Sequence, residues 1–203
     1  MAKLKGPLFS LGATQKLGNA LVFFGWKGLN VVREYVIPSN PKTTLQQTQR
    51  GYLTAAVTAI HTSQGLPTGG IDAIDTAAFA LWGSIYATPR TWFNQIVKNW
   101  LDQKVASLIP IIWSDATLTP ASNQITLKVN STCESSLLTN ANVKWGTSKT
   151  ALINSQGVTR AQLNAGIAIS GMATKTKYYL QVQPTLPIGF IGSFSGIYHA
   201  TTT

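Results

Sequence analysis

From Ile112 onward the hydrophobic pattern of this chain repeats every second residue, whereas between Leu45 and Leu101 it follows the spacing of helix faces. Gln124-Ile125-Thr126-Leu127-Lys128-Val129, Asn142-Val143-Lys144-Trp145 and Tyr179-Leu180-Gln181-Val182-Gln183 all alternate apolar with polar. That is the signature of strands with one face buried and one wet. The stretches between them are rich in Ser, Asn, Thr and Gly, so short strands and frequent turns predict an antiparallel sandwich. A domain boundary is expected where the period changes, near Leu108–Pro110, dividing the chain into residues 1–109 and 110–203.

The first part reads as α+β. Leu21-Val22-Phe23-Phe24 and Leu29-Asn30-Val31-Val32-Arg33-Glu34-Tyr35-Val36-Ile37 flank the break Gly25-Trp26-Lys27-Gly28, which predicts a β-hairpin. Pro38, lacking an N–H, closes its second strand. Asn40-Pro41 then offers a helix cap followed by proline at the first helical position. Apolar residues at Leu45, Tyr52, Leu53, Ala56, Val57 and Ile60 mark one helical face, and Ser63–Gly70 breaks it. A second face runs through Ile71, Ile74, Ala78, Leu81, Trp82 and Ile85, and a third through Trp92, Phe93, Ile96, Val97, Trp100 and Leu101. Three one-sided helices are expected to pack on each other and on the hairpin. At that spacing Trp82, Trp92, Trp100 and Phe93 are core residues in preference to base-stacking platforms.

Two resemblances attach to specific residues. Met172, Thr176 and Tyr178 carry the spacing of the E–F corner of fibronectin type III domains, where a large apolar residue is followed four positions later by Thr and six later by Tyr. Val143-Lys144-Trp145-Gly146-Thr147-Ser148 is similar to the end of strand C in such domains. Met172 stands where Leu is usual, and Ala173-Thr174 where Pro is common. The resemblance implies a fibronectin type III or Ig-like all-β sandwich, with a Tyr hydroxyl bonding backbone at the corner. The series Gly18-Asn19-Ala20-Leu21-Val22-Phe23, Trp26-Lys27-Gly28, Val32-Arg33, Pro38-Ser39-Asn40-Pro41-Lys42-Thr43 and Gln46-Gln47-Thr48-Gln49-Arg50 resembles an uncharacterised family of small tailed-phage and prophage proteins. That likeness implies a phage virion or phage-assembly setting and no biochemical role.

Charge narrows the partners. The chain carries 16 Lys and Arg against 6 Asp and Glu, a formal net charge of +10. Residues 1–104 hold ten of the cations and four of the acids, so the excess is spread and not blocked together. A dedicated nucleic-acid binder concentrates its charge, so nucleic acid ranks below protein partners. With charged residues at only 11%, much of the surface must be Ser, Thr, Asn, Gln and Gly, which suits large assemblies. No apolar run approaches the roughly 20 residues of a membrane span, and the N-terminus lacks an apolar signal core. No membrane association is expected, and synthesis and folding are expected in a host cytoplasm, with the virion as destination.

Catalytic signatures fail one by one. His61 and His199, the only histidines, have no carboxylate nearby in sequence. Asp72 and Asp75 have the spacing of an acid–base or metal pair, but acids in a first helical turn are favoured by the helix dipole. Gly69-Gly70 lacks the Lys-Ser/Thr of a phosphate loop, and Gly192 and Gly196 flank Phe194 where a nucleophile elbow needs Ser. Cys133 is the sole cysteine, expected as a small buried hydrophobe, so neither an intrachain disulfide nor a cysteine-based metal cluster is expected. No enzyme, cofactor or metal site is expected.

The expected protein-interaction surface is Trp26, Lys27, Leu29, Arg33, Tyr35 and Arg50, since Trp and Arg are favoured interface anchors. The competing reading is a hairpin tip with solvated cations lying along apolar stems. The chain is thus expected to be a non-enzymatic virion structural protein, a capsid decoration or another head or tail accessory. Its N-terminal domain would anchor it to other subunits or to itself as a homo-oligomer, and the sandwich would be displayed. The alternatives are a nucleic-acid binder and an adhesion module for cell-surface glycans.

Overall fold

The computed structural model describes residues 15–27, 29–37, 39–40, 42–131, 139–186 and 193–203. The chain separates into two compact units, residues 1–43 and 44–203.

In the first unit β1 (Gln15–Leu17), β2 (Leu21–Trp26) and β3 (Leu29–Glu34) form an antiparallel sheet in that order. The hairpin is present, with a first strand two residues longer than the sequence suggested and a second that stops at Glu34 instead of Ile37. Trp26 pairs with Leu29, so Gly25 and Trp26 belong to β2 and not to the break; Gly28 lies outside the described residues. Lys27 has φ +48°, the left-handed backbone that a tight two-residue connection demands. The edge strand β1 was not foreseen. Pro38 lies outside the described residues.

In the second unit α1 (Thr44–Gln64), α2 (Ala73–Gly83) and α3 (Trp92–Val105) precede the strands. The helix does not open at Asn40-Pro41. Lys42 stands at φ +47°, which a right-handed helix cannot contain, and α1 starts two residues later; Pro41 itself lies outside the described residues. Ile60, Phe79, Ile96 and Ile112 form a buried cluster, with Trp82, Trp92, Phe93 and Trp100 packed around it. The tryptophans therefore serve the core, as their helical spacing predicts. Burial on α1 is confined to its C-terminal half, at Ala56, Ile60 and Ser63. Leu45, 80% exposed, and Leu53 lie outside the core despite falling on the expected face.

Two sheets follow. β4 (Trp113–Pro120), β5 (Gln124–Ser131) and β8 (Ile167–Ser170) make one, in that order. The other runs β10 (Tyr198–Thr201), β9 (Lys177–Leu186), β6 (Asn140–Gly146), β7 (Asn154–Thr159), and α4 (Arg160–Ala165) links β7 to β8. Ile125, Leu127, Val129, Val143, Leu180 and Val182 are fully buried between the sheets, as the alternation requires. Cys133 lies outside the described residues.

The boundary expected near residue 109 is not where the chain divides. Ile112 completes the helical cluster, while Ala78 of α2 is part of the sandwich core, so helices and sandwich share buried surface. The change of period marks a change of secondary structure within one compact unit.

The corner matches the expectation at atomic level. The N–H of Ala173 donates to the Tyr178 hydroxyl oxygen at 2.9 Å, and Met172 is buried beneath it. Tyr178→Phe removes the acceptor and keeps the ring, so it should lower unfolding stability by about 1–2 kcal/mol with an unchanged m-value in urea.

Candidate interaction surface

Strand pairing sorts the first unit's side chains by face. Val22 opposes Arg33, Phe24 opposes Val31, Trp26 opposes Leu29 and Lys16 opposes Val22, so these positions share one side of the sheet. Tyr35 follows with the same parity, anchored by its N–H to the Ala20 carbonyl at 2.8 Å. Two cations lie over rings there: Lys16 Nζ is 3.8 Å from the Tyr35 centroid, and the Arg33 guanidinium carbon 5.3 Å from that of Phe24. Trp26 is 60% exposed at the end of β2, and Lys27 is exposed in the turn.

Of the six residues expected to make the interface, Trp26, Arg33 and Tyr35 therefore hold positions on one face, with Lys27 at its tip and the Leu29 backbone paired to Trp26. Arg50 belongs to the second unit, on the exposed N-terminal half of α1. Among the described residues, thirteen large apolar side chains stay exposed, and eight lie between Leu17 and Leu53: Leu17, Leu21, Trp26, Val32, Val36 and Ile37 before α1, then Leu45 and Leu53 on it. Register and fold divide them: Leu17, Leu21 and Val32 lie on the sheet face opposite to that of Trp26, and Leu45 and Leu53 belong to the second unit.

The acids with metal-pair spacing have a different fate. Asp72 caps α2: its carboxylate accepts from Asp75 N–H at 2.9 Å, and its own N–H donates to Asp75 Oδ2 at 3.3 Å. Asp75 is fully buried, and its other oxygen accepts from the Tyr198 hydroxyl on β10 at 3.0 Å. Burial pushes the Asp75 carboxyl up to about 7, with the neighbouring Asp72 charge adding to the rise. Burial, and then the charge of Asp75, raises the Tyr198 phenol well above its usual value, so it remains a donor. Tyr198 lines a pocket with Ala73, Ile74, Leu118 and His199, but its ring is buried and its hydroxyl is spent on Asp75. His61 packs against Phe93, with ring centroids 6.1 Å apart, and His199 lies against Tyr179 at 6.2 Å. Among the described residues no group of three or more His, Cys, Asp or Glu is placed to hold a metal ion, and no helix is long and apolar enough to cross a membrane.

The glycine and serine strings prove structural. Ser114 Oγ donates to the Gly69 carbonyl at 2.7 Å, and Asp115 N–H to that of Gly70 at 3.1 Å, tying the α1–α2 loop to β4. Ser195 Oγ accepts from Val182 N–H at 2.8 Å and donates to the Gly196 carbonyl at 2.8 Å. A Cβ on Gly196 would stand 2.7 Å from the Ala78 backbone, a distance only glycine permits. The sequence reading dismissed this string as a failed elbow and missed its role against α2; the density of small residues from Gly192 to Gly196 was the available signal.

The C-terminal part of the chain resembles fibronectin type III domains of solved structures. The fn3 domain of human contactin 1 is 14% identical, with a TM-score of 0.40 over 48% of this chain and 83% of that one. The FN5 domain of Drosophila Lar is 19% identical, with a TM-score of 0.36 over 46% of this chain and 97% of that one. No protein-family model and no curated protein matches the sequence.

The buried acid sets a pH dependence. The folded state holds the Asp75 proton up to about 7, while the unfolded chain releases it near 3.8, so stability falls as pH climbs between those values. The loss should be on the order of 3 kcal/mol by pH 8. His199, lowered by burial and by Lys177, works in the opposite direction as pH falls through the histidine range. Urea titrations from pH 5 to 8 should show Asp75→Asn flattening the decline. A parallel decline in that variant would remove Asp75 as its cause.

Proposed function

We propose that this chain is a non-enzymatic structural protein of a phage particle. It attaches through its N-terminal sheet, and it displays the β-sandwich. One observation carries the attachment reading: six large apolar residues, Leu17, Leu21, Trp26, Val32, Val36 and Ile37, stay exposed in the first unit, spread over both faces of its small sheet. The second unit, in contrast, has a full core of its own. The particle setting is supported by the N-terminal motif series described above. Trp26 and Arg33 are the anchors of the contact, and Lys16, Lys27 and Arg33 outnumber Glu34 on the sheet, which suits an acidic partner surface.

The test compares the full chain with Trp26→Ser and Arg33→Ser in sedimentation, alone and with gradient-purified particles from a producing host. The wild type should self-associate or travel with particles. Each substitution should weaken that by roughly 30-fold, the effect of losing a hot-spot residue, at an unchanged melting temperature. Equal sedimentation of variants and wild type would overturn the attachment surface. Absence of the chain's peptides from purified particles would overturn the virion assignment.

A further inference from the structure

The outer face of the β10-β9-β6-β7 sheet is built unlike the N-terminal surface. Alternation sends Leu180, Val182, Ala141 and Val143 into the core and turns their neighbours outward. In register across the sheet, His199 stands opposite Tyr179, Gln181 opposite Lys144 and then Ser155, and Gln183 opposite Asn142 and then Gly157. A shallow cleft of about 320 Å³ opens at the end of these rows, lined by Asn140, Asn142, Gly157, Thr159, Gln162 and Thr185. Gly157, with no side chain, leaves the Asn142 row open on the β7 side.

The chemistry of this face selects its ligand. The centre of a protein contact is apolar and aromatic, and here, beyond the single Tyr179–His199 pair, the rows are amides with Lys144 and Ser155. A nucleic-acid surface needs many phosphate contacts, and here the strands offer Lys144 and Lys177. Asn, Gln, Ser and Thr side chains each donate and accept, which is what a ligand covered in hydroxyls requires. Tyr179 adds a half-buried ring, with Lys177 Nζ 5.4 Å from its centroid. The described acids are Glu34, Asp72, Asp75, Asp102 and Asp115, and none of them lies on these four strands, which carry Lys144 and Lys177.

We propose that this face binds an oligosaccharide bearing acidic substituents. Asn142 and Gln183 read its hydroxyls, Lys144 pairs with its carboxylate or phosphate, and Tyr179 takes the apolar side of a sugar ring. The site is independent of the attachment surface, and the two fail separately.

The full chain is applied to an array of immobilised neutral, carboxylated and phosphorylated oligosaccharides, and each chain it retains is titrated by calorimetry. Acidic chains should bind, and their carboxylated or phosphorylated character identifies the substituent. Lys144→Gln should weaken binding by about fivefold, and Asn142→Ala with Gln183→Ala by about tenfold or more, with melting temperatures unchanged. Trp26→Ser should have no effect. Retention of none of the array, retention of neutral chains alone, or equal binding by the sheet variants would overturn the proposal.

Discussion

The N–H of Ile197 donates to the carbonyl of Ala78 at 3.0 Å, in the middle of a helix, because Gly196 lets the two backbones meet. One residue further, the Tyr198 hydroxyl reaches the buried carboxyl of Asp75. The rest of the second unit depends on this junction. Trp113 Nε1 reaches the Ser193 carbonyl at 2.7 Å, and Asn99 Nδ2 reaches that of Phe194 at 3.4 Å, so α3 and β4 are tied to the same segment. Polar groups buried this deeply are costly unless each finds a partner, and here they find one another across the helix–sandwich boundary. A layer of three helices and a sandwich, which the change of hydrophobic period presents as neighbours, become one body.

That junction explains what could be read from the residues and what could not. Met172, Thr176 and Tyr178 announce the corner because the bond they serve is local: five residues separate the Ala173 N–H from its acceptor. The stripes of α2 and α3 and the alternation of β5, β6 and β9 are local too. Asp75 was legible as a helix-start acid, which it is, but its second partner lies 123 residues away and leaves no mark in the neighbouring sequence. Leu45 and Leu53 show the opposite failure. Their spacing defines a helical face, yet spacing alone does not say whether this chain covers it. Asn40-Pro41 is a good start signal overridden by the left-handed Lys42.

The candidate surface was partly legible for the same reason. The alternation of β3 places Val31 and Arg33 on one side, but register was needed to bring Trp26 and Phe24 beside them. Arg50 was grouped with them as a favoured anchor type, and the fold assigns it to the other unit. The apolar excess of the N-terminal region and the amide rows of the sandwich are two kinds of surface. One is suited to burial against protein, the other to exchange with water.

The distance in sequence between Asp75 and Tyr198 also orders events during synthesis. At 5–20 residues per second, about 6–25 s pass between the appearance of α2 and of the strand that satisfies it. Through that interval α2 carries an acid whose buried partner does not yet exist, and Ala78 has no strand segment against it. An acid still in contact with water has no reason to give up its charge, so α2 keeps a solvated carboxylate until β10 arrives. The native burial of this helix is therefore a late event, timed by the chain's own topology.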